Sequence, residues 1–203
     1  KYRNAGQTCV CANRIYVQKG VYKEFVKKLV AAVEKLVVGD GTGKNVQIGP
    51  LIDEKAVEKV ESHISDALGH KAKVLTGGKR SKLGGLFFEP TVIGGATQDM
   101  AFAREETFGP LAPVFKFETD EDVIKMANDT EFGLAAYFYA RDLGRVWRVA
   151  EQLEYGIVGI NTGLISTEVA PFGGVKQSGL GREGSHYGID DYLVIKYMLM
   201  GGI

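Results

Sequence analysis

The chain has 203 residues, 45% of them hydrophobic, and its 25 lysines and arginines balance 25 aspartates and glutamates. This length suits one domain, or one domain with an appendage, and it is long enough to bury a sizeable core. A net charge of zero argues against general binding to nucleic acid or to an acidic membrane surface, because no basic excess is available to neutralise phosphates.

Targeting and redox features are sparse in this sequence. No apolar run approaches the ~20 residues that span a bilayer. The chain begins with Lys1 rather than Met and carries neither an apolar signal core nor a transit segment rich in arginine and serine, so we interpret its start as a cut within a longer protein. Cys9 and Cys11 are the only cysteines, which form no disulfide framework and favour a reducing compartment.

Short apolar runs alternate with longer amphipathic ones along most of the chain. Short apolar runs predict strands, and apolar residues at helical spacing predict helices. This alternation indicates an α/β fold, with a parallel twisted sheet that has helices on both faces. In chain order, the predicted elements are strand 14–18, helix 21–37, helix 54–69, strand 74–75, an extended segment 87–93, strand 111–117, helix 120–128, strand 135–139, helix 143–153 and strand 157–161.

The second predicted helix has clear end signals. Asp53 is a candidate N-cap, because its carboxylate can accept from the free amides of the first turn, and Gly69 is a suitable stop. The apolar residues that we expect this helix to bury are Val57, Val60, Ile64 and Leu68.

The last part of the chain differs in composition. Five glycines fall within residues 171–184, and residues 192–198 then form a mostly apolar run. We interpret that run as a strand, and since a solitary apolar edge strand promotes aggregation, we expect it to pair with a sheet of another subunit. The predicted organisation is a main domain over residues 1–180 and a tail with an oligomerisation strand over residues 181–203.

The segment Gly-Gln-Thr-Cys-Val-Cys at residues 6–11 places a thiol in a short turn that begins with glycine. A thiol can attack a carbonyl carbon and leave again, so Cys9 is a candidate nucleophile, although a lone cysteine can equally be a small buried apolar residue. Cys11 is a candidate redox partner, because a strained Cys-x-Cys disulfide would block the nucleophile reversibly; packing behind the loop is the alternative. The three histidines show no zinc-ligand spacing relative to this pair, so no metal is predicted.

Several segments, spread in order over nearly the whole chain, carry a family resemblance. They are residues 6–9 (Gly-Gln-Thr-Cys), 105–110 (Glu-Glu-Thr-Phe-Gly-Pro), 128–130 (Asn-Asp-Thr), 133–134 (Gly-Leu), 159–161 (Gly-Ile-Asn), and 171–174 (Pro-Phe-Gly-Gly) with 178–179 (Ser-Gly). Each segment alone is weak, but in this order and spacing they resemble the C-terminal, catalytic part of NAD(P)-dependent aldehyde dehydrogenases.

The resemblance implies that Cys9 is the catalytic residue. Its thiolate would add to the aldehyde carbon, the thiohemiacetal would release hydride to the nicotinamide of NAD or NADP, and water would hydrolyse the resulting thioester. A free thiol has a pKa of ~8.5, so the site must supply positive potential or a nearby base. The resemblance also implies that Glu106 binds the ribose hydroxyls of the cofactor and that Phe108 packs beside the nicotinamide; a solvated glutamate and an ordinary core aromatic are the alternatives.

Four further segments are similar to the succinate-semialdehyde dehydrogenase subgroup, namely residues 2–4, 9–13, 163–167 and 181–184. The substrate of that subgroup carries a carboxylate at the end opposite the aldehyde. The resemblance implies that the guanidinium of Arg3 binds this carboxylate, that the Ser166 hydroxyl adds a hydrogen bond, and that Phe172 forms part of the substrate tunnel. A surface arginine is the alternative for Arg3, and Thr167 is the alternative to Ser166.

Two parts of the family's machinery are expected upstream of this chain. The family's glutamate that activates the hydrolytic water precedes the catalytic cysteine, and none of the eight residues before Cys9 is acidic. No strand, glycine-rich turn and helix of the dinucleotide-binding kind is found either. Without these parts, this chain alone is expected to be inactive. For the whole protein, the resemblance implies a homodimeric or homotetrameric oxidoreductase in a mitochondrial matrix or a bacterial cytoplasm.

Two other functions stay open from the sequence. One is an aldehyde dehydrogenase with a different substrate. The other is a non-catalytic assembly domain that associates through residues 192–198 and keeps Cys9 only as a structural residue. The rate at which a thiol-selective reagent labels Cys9, and its protection by substrate, separate a poised nucleophile from an inert thiol.

Overall fold

A computed structural model describes residues 1–202 of the chain. The polypeptide divides into two compact units, one over residues 1–127 and one from Asn128 onward, and each is considered by itself. Ile203, the last residue of the predicted tail, lies outside the described residues. Every helix in residues 1–202 is too short or too polar to traverse a lipid bilayer.

The first unit is built on a mixed sheet with helices. Its elements are, in chain order, β1 (Ile15–Gln18), α1 (Tyr22–Val33), α2 (Glu54–Gly69), β2 (Lys73–Thr76), β3 (Thr91–Ala96), β4 (Leu111–Phe117) and α3 (Asp120–Asn128), whose last residue begins the second unit. The sheet order is β1-β4-β3-β2. Both β1 and β3 pair with β4 in parallel, which confirms the predicted parallel arrangement at the centre of the sheet.

The edge strand β2 departs from the prediction, because it pairs with β3 antiparallel. The reason lies in the connection between the two strands. A parallel neighbour needs a crossover, usually through a helix, and residues 77–90 contain only turns and one isolated bridge, between Arg80 and Phe88. The sheet of this unit is therefore mixed, with a parallel centre and one antiparallel edge.

Apolar side chains of the central strands alternate between the two faces of the sheet. Val92 of β3 and Val114 of β4 belong to one core cluster, which packs against partly buried residues of α1. Their neighbours Ile93 and Phe115 belong to a second cluster, together with residues of α2 such as Val60. Because successive strand residues point to opposite faces, the helices cover both faces, as predicted.

The α2 helix starts as predicted and differs from the prediction in its last turn. The Ala56 amide donates to Asp53 Oδ1 at 2.8 Å, which is the expected N-cap. Of the four apolar residues predicted to be buried, Leu68 is 51% exposed, and Ala67 is buried instead. The chain folds back over Ala67 on its way to β2, since the Ala72 amide donates to the Ala67 carbonyl at 2.9 Å.

Two other boundaries differ from the prediction for backbone reasons. The α1 helix ends at Val33, four residues early, because the amides of Lys35 and Leu36 donate to carbonyls three residues back and tighten the chain out of the helix. The β3 strand begins at Thr91 rather than at residue 87, directly after Pro90, which has no amide hydrogen to donate to a sheet.

The second unit contains two small sheets. Its elements are β5 (Phe132–Gly133), β6 (Ala135–Phe138), α4 (Leu143–Gln152), β7 (Ile157–Ile160) and β8 (Val175–Lys176). The strands β6 and β7 pair in parallel and α4 connects them, so the predicted strand, helix and strand are confirmed to within one residue. The antiparallel pair of β5 and β8 was not predicted, because strands of two residues carry no periodic pattern.

The tail does not form the predicted strand in this single chain. Tyr187–Tyr192 is a 3₁₀ helix, and residues 193–202 have no regular secondary structure. Val194 and Ile195 are 94% and 99% exposed. Since a strand requires a hydrogen-bonded neighbour, the pairing of this segment with another subunit stays a prediction.

Candidate active site

Cys9 lies in a tight turn at the surface of the first unit. The Cys11 amide donates to the Thr8 carbonyl at 2.9 Å, which places Cys9 and Val10 at the centre of the turn. Cys9 is exposed, Cys11 is half-buried, and both are free thiols in this structure. The thiol at position 9 is therefore open to a reagent or substrate arriving from solvent.

The backbone before the turn is held in an unusual conformation. Asn4, Ala5 and Gly6 have φ angles of 51°, 56° and 79°, which is left-handed for three residues in succession. A Cβ added to Gly6 would lie 2.0 Å from the carbonyl oxygen of Gly109, so only glycine fits there. This close approach seats the segment that carries Cys9 directly on the segment that carries Glu106.

The side chain of Gln7 anchors the same segment to a second loop. Its Nε2 donates to the carbonyls of Asn4 at 3.1 Å and of Pro50 at 3.3 Å, and its Oε1 accepts from the Ile52 amide at 2.8 Å. Three hydrogen bonds from one amide side chain fix the backbone two residues before Cys9. The turn is thus held from outside as well as by its own hydrogen bond.

Asn13 connects the end of the cysteine turn to the loop that contains Glu106. Its Nδ2 donates to the carbonyls of Phe102 at 2.9 Å and Glu105 at 3.1 Å, while its Oδ1 accepts from the Thr107 amide at 3.0 Å. No role for Asn13 was predicted from the sequence. The available signal was weak, because Asn13 differs from any loop asparagine only in following the Cys-x-Cys pair by two residues.

His63 contacts the same loop from α2. It is 2% exposed, its Nδ1 lies 3.0 Å from Thr107 Oγ1, and its Nε2 lies 3.3 Å from Glu105 Oε2. A carboxylate accepts only, so the matching neutral tautomer carries its proton on Nε2. Burial lowers the pKa of His63, and the hydrogen bond to Glu105 partly opposes that effect. His63 follows Val60 by three residues and therefore falls on the apolar face of α2. This position is the signal in the sequence that could have indicated a buried histidine with hydrogen-bond partners.

The Glu106 carboxylate is solvent-accessible and has no bonded partner. Within residues 1–202, no side-chain hydrogen bond or ion pair holds it. Loss of solvation raises its pKa above the ordinary value, and the positive charges of Lys1 and Lys59 partly oppose that shift. Phe108 is 40% exposed with φ of 50°, so this ring is not a core aromatic in the structure. Both side chains are available to a ligand.

Arg3 is exposed and no carboxylate among the described residues pairs with its guanidinium. Its backbone carbonyl lies 3.8 Å from the Cys11 sulfur, at thiol–carbonyl hydrogen-bond distance. Burial lowers the pKa of the nearby Lys1 side chain to about 8, and the charges of Cys11 and Glu106 partly oppose that shift. The Lys1 ammonium group is therefore within electrostatic range of both the cysteine turn and the Glu106 loop.

The other two predicted substrate residues lie in the second unit. Ser166 is exposed in an irregular segment, and so is Thr167. Phe172 is half-buried, and its backbone exchanges two hydrogen bonds with Glu183, at 2.8 and 2.7 Å. Their roles in a substrate site stay predictions. In residues 1–202, no three histidine, cysteine, aspartate or glutamate side chains group together as metal ligands would.

Known proteins are similar to this chain in sequence and in fold. The chain is 68% identical over 203 residues to a glutarate-semialdehyde dehydrogenase of Pseudomonas aeruginosa, and 67% identical over 201 residues to the NADP(+) succinate-semialdehyde dehydrogenase GabD of Escherichia coli. These alignments cover 100% and 99% of this chain and 42% of each relative. A crystal structure of succinate-semialdehyde dehydrogenase from Burkholderia pseudomallei has a TM-score of 0.96 and 69% identity, over 98% of this chain and 41% of that one.

The chain thus spans about two fifths of the length of the relatives that it matches. The family model described as the aldehyde dehydrogenase family matches residues 1–198. A match over nearly every residue, together with an exposed thiol in the segment that carried the resemblance, assigns the family. The chain belongs to the aldehyde dehydrogenase family.

Proposed function

We propose that the protein carrying this chain oxidises an aldehyde to a carboxylic acid with NAD or NADP, and that its substrate bears a second, remote carboxylate. The observation that supports this most directly is the exposed Cys9 thiol, held in a turn that is seated on the loop of Glu106. Succinate semialdehyde is the proposed substrate. Glutarate semialdehyde, one carbon longer, is the second candidate, because a relative at 68% identity is named for it.

Cys9 is proposed as the nucleophile. Its sulfur adds to the aldehyde carbon, the carbonyl oxygen becomes an oxyanion, and the backbone amide of Cys9 is the proposed hydrogen-bond donor to that oxygen. Loss of hydride from the adduct leaves a thioester on Cys9, which water cleaves to the acid and the free thiol. The hydrogen bonds of Gln7 and of the turn hold the sulfur in place through both steps.

Glu106 and Phe108 are proposed to hold the cofactor. When bound, the nicotinamide cofactor supplies the hydride acceptor. The Glu106 carboxylate fits a ribose diol, because it is accessible, has no partner among the described residues and offers two acceptor oxygens. The half-exposed ring of Phe108 offers an apolar surface beside it. The choice between NAD and NADP is left to the assay; the Escherichia coli relative is named for NADP(+).

Arg3 is proposed to bind the remote carboxylate of the substrate. An exposed guanidinium without an acidic partner is ready for a bidentate contact, and its backbone adjoins the cysteine turn. Ser166 is proposed to add a hydrogen bond to the same carboxylate, and Phe172 is proposed to form part of the substrate tunnel. Cys11, which lies beside the Arg3 carbonyl, is proposed to form a reversible disulfide with Cys9 under oxidation, which would block the nucleophile.

The wider organisation is also a proposal. We infer a catalytic domain over residues 1–180, a tail over residues 181–203 that joins subunits into a dimer or tetramer, and a cofactor domain and a general base supplied by the rest of the longer protein. Small-molecule aldehydes are the expected partners, with no role for nucleic acid or membrane. A mitochondrial matrix or a bacterial cytoplasm is the expected location.

The deciding experiment uses the full-length protein that carries this chain. Reduction of NAD and NADP is followed by the absorbance of the reduced nicotinamide, with succinate semialdehyde, glutarate semialdehyde and butanal as substrates. The two aldehydes that carry a carboxylate, succinate semialdehyde and glutarate semialdehyde, should be turned over, and Cys9→Ala should abolish turnover. Faster labelling of Cys9 than of a model thiol, with protection by succinate semialdehyde, supports the enzyme. Slow labelling without protection, and no turnover, supports the assembly domain instead.

A further inference from the structure

Glu106 lies between Glu105 and Thr107, and two other side chains contact both of these neighbours. Asn13 bonds the carbonyl of Glu105 and the amide of Thr107, so it grips the backbone on both sides of Glu106. His63 contacts the side chains of Glu105 and Thr107, at 3.3 and 3.0 Å. Among the described residues, Glu106 itself has no hydrogen bond or ion pair, so its orientation depends on these two neighbours.

His63 and Thr107, the residue that it contacts, are both buried. His63 is buried on α2, and its ring packs edge-on against Phe102 with the ring centroids 6.5 Å apart. Thr107 is 2% exposed, so its amide and hydroxyl need protein partners, and Asn13 and His63 provide them. Within residues 1–202, no buried side-chain nitrogen or oxygen lacks a hydrogen bond. A fully satisfied polar cluster of this kind restricts a loop to one conformation.

Asn13 also connects this loop to the nucleophile. It follows Cys9 by four residues and lies between the cysteine turn and β1, whose first residue is Ile15. A displacement of the Glu106 loop is therefore resisted by the chain that carries the thiol. The contact of Gly6 with Gly109 joins the same two segments from the other side of Cys9.

We propose that Asn13 and His63 are positioning residues that set the orientation of the Glu106 carboxylate toward the cofactor and keep its loop in register with the Cys9 turn. This inference rests on the proposed role of Glu106. In this proposal neither Asn13 nor His63 touches the reacting atoms, because both act through Glu105 and Thr107.

The first test measures the loop without any cofactor. Amide hydrogen exchange is recorded on the full-length apoprotein for wild type, Asn13→Ala, His63→Ala and His63→Asn. Asn13→Ala and His63→Ala should accelerate exchange over residues 102–108 by about tenfold, since each lost hydrogen bond to the loop lowers its opening free energy. His63→Asn keeps a polar group near the position of Nδ1 and should restore part of the protection.

The second test measures cofactor binding on the same proteins. The dissociation constant for NAD or NADP, from quenching of protein fluorescence, should rise about tenfold in Asn13→Ala and His63→Ala, because a misplaced carboxylate loses its bonds to the ribose. The turnover number at saturating cofactor should change less than the dissociation constant. Should Asn13→Ala fail to fold, Asn13→Asp replaces it, because this variant keeps the acceptor for Thr107 and the shape of the side chain.

The matched control is Asn128→Ala. Asn128 also bridges backbone groups, donating to Gln152 at 2.7 Å and accepting from Glu154 at 3.0 Å, but in the second unit. Its removal should leave exchange over residues 102–108 and cofactor affinity unchanged.

The outcomes separate the inference from the proposed function. If Glu106→Gln weakens cofactor binding while Asn13→Ala and His63→Ala do not, the positioning role is wrong and the role of Glu106 stands. Faster loop exchange with unchanged cofactor affinity also overturns the inference, because the two side chains are then only structural. If Glu106→Gln itself leaves the affinity unchanged, the proposed role of Glu106 fails, and the inference fails with it.

Discussion

At the residue scale, the proposed role of Arg3 predicts which aldehyde the protein should prefer. A guanidinium that pairs with no carboxylate among the described residues keeps its full capacity for a charge-assisted contact with a substrate. Arg3→Ala should therefore raise the KM for succinate semialdehyde by about 10–100-fold and that for butanal by less than about twofold. Steady-state kinetics of the full-length protein measure both constants.

Arg80 supplies the control for that prediction. It is also a surface arginine, but its guanidinium already binds Glu54 at 2.6 Å and Glu61 at 2.8 Å. Arg80→Ala should leave both KM values unchanged. An equal rise for the charged and the neutral aldehyde in Arg3→Ala would remove Arg3 from the carboxylate site.

The proposed role of Glu106 predicts that cofactor binding depends on pH. Loss of solvation raises the pKa of this carboxyl above its ordinary value of about 4.5. Only the carboxylate accepts from both ribose hydroxyls, so the proton competes with the cofactor, and affinity should fall as pH falls through the raised pKa. Binding curves between roughly pH 5 and pH 8 measure this effect. Glu106→Gln should bind the cofactor weakly, with an affinity that stays constant over the same pH range. If the affinity of this variant depended on pH as that of the wild type does, the dependence would belong to another group.

At the element scale, local patterns predicted most of the fold. β4 and α3 agree with the prediction at both ends, because an apolar run and a first turn rich in acids are signals contained within each segment. The direction of β2 and the pairing of β5 with β8 depend on contacts between distant segments. The same limit applies to the site. The motifs singled out Cys9 and Glu106, whereas Asn13 and His63 contact Thr107 from 94 and 44 positions away, and no local pattern shows those contacts.

The N-cap of α2 gives a prediction about this element. Asp53 Oδ1 accepts from the Ala56 amide at 2.8 Å, and loss of such a cap destabilises a helix end by about 1 kcal/mol. Asp53→Ala should speed amide exchange over residues 54–57 by roughly fivefold, while Asp53→Ser, which keeps an acceptor, should change it little. The effect should not spread to His63, which lies beyond the first two turns. Faster exchange over the whole of α2 would contradict a purely local cap.

At the scale of the whole molecule, we expect the tail to join subunits. Residues 193–200 have no regular secondary structure and expose apolar side chains, including Val194 and Ile195 at 94% and 99%. An apolar segment of this length is more stable when covered, and an extended chain can be covered by adding to a sheet edge of another subunit. The tail is therefore expected to become a strand only on assembly.

A charge within the tail tests this expectation. Ile195→Asp would bury a carboxylate without a partner in the proposed interface, which costs on the order of several kcal/mol. Sedimentation velocity on the full-length protein should show the wild type as a dimer or tetramer and Ile195→Asp as a smaller species. Lys196→Glu is the control, because that position already holds a charged side chain and should keep the wild-type size. An unchanged sedimentation coefficient in Ile195→Asp would mean that the subunits associate through another surface.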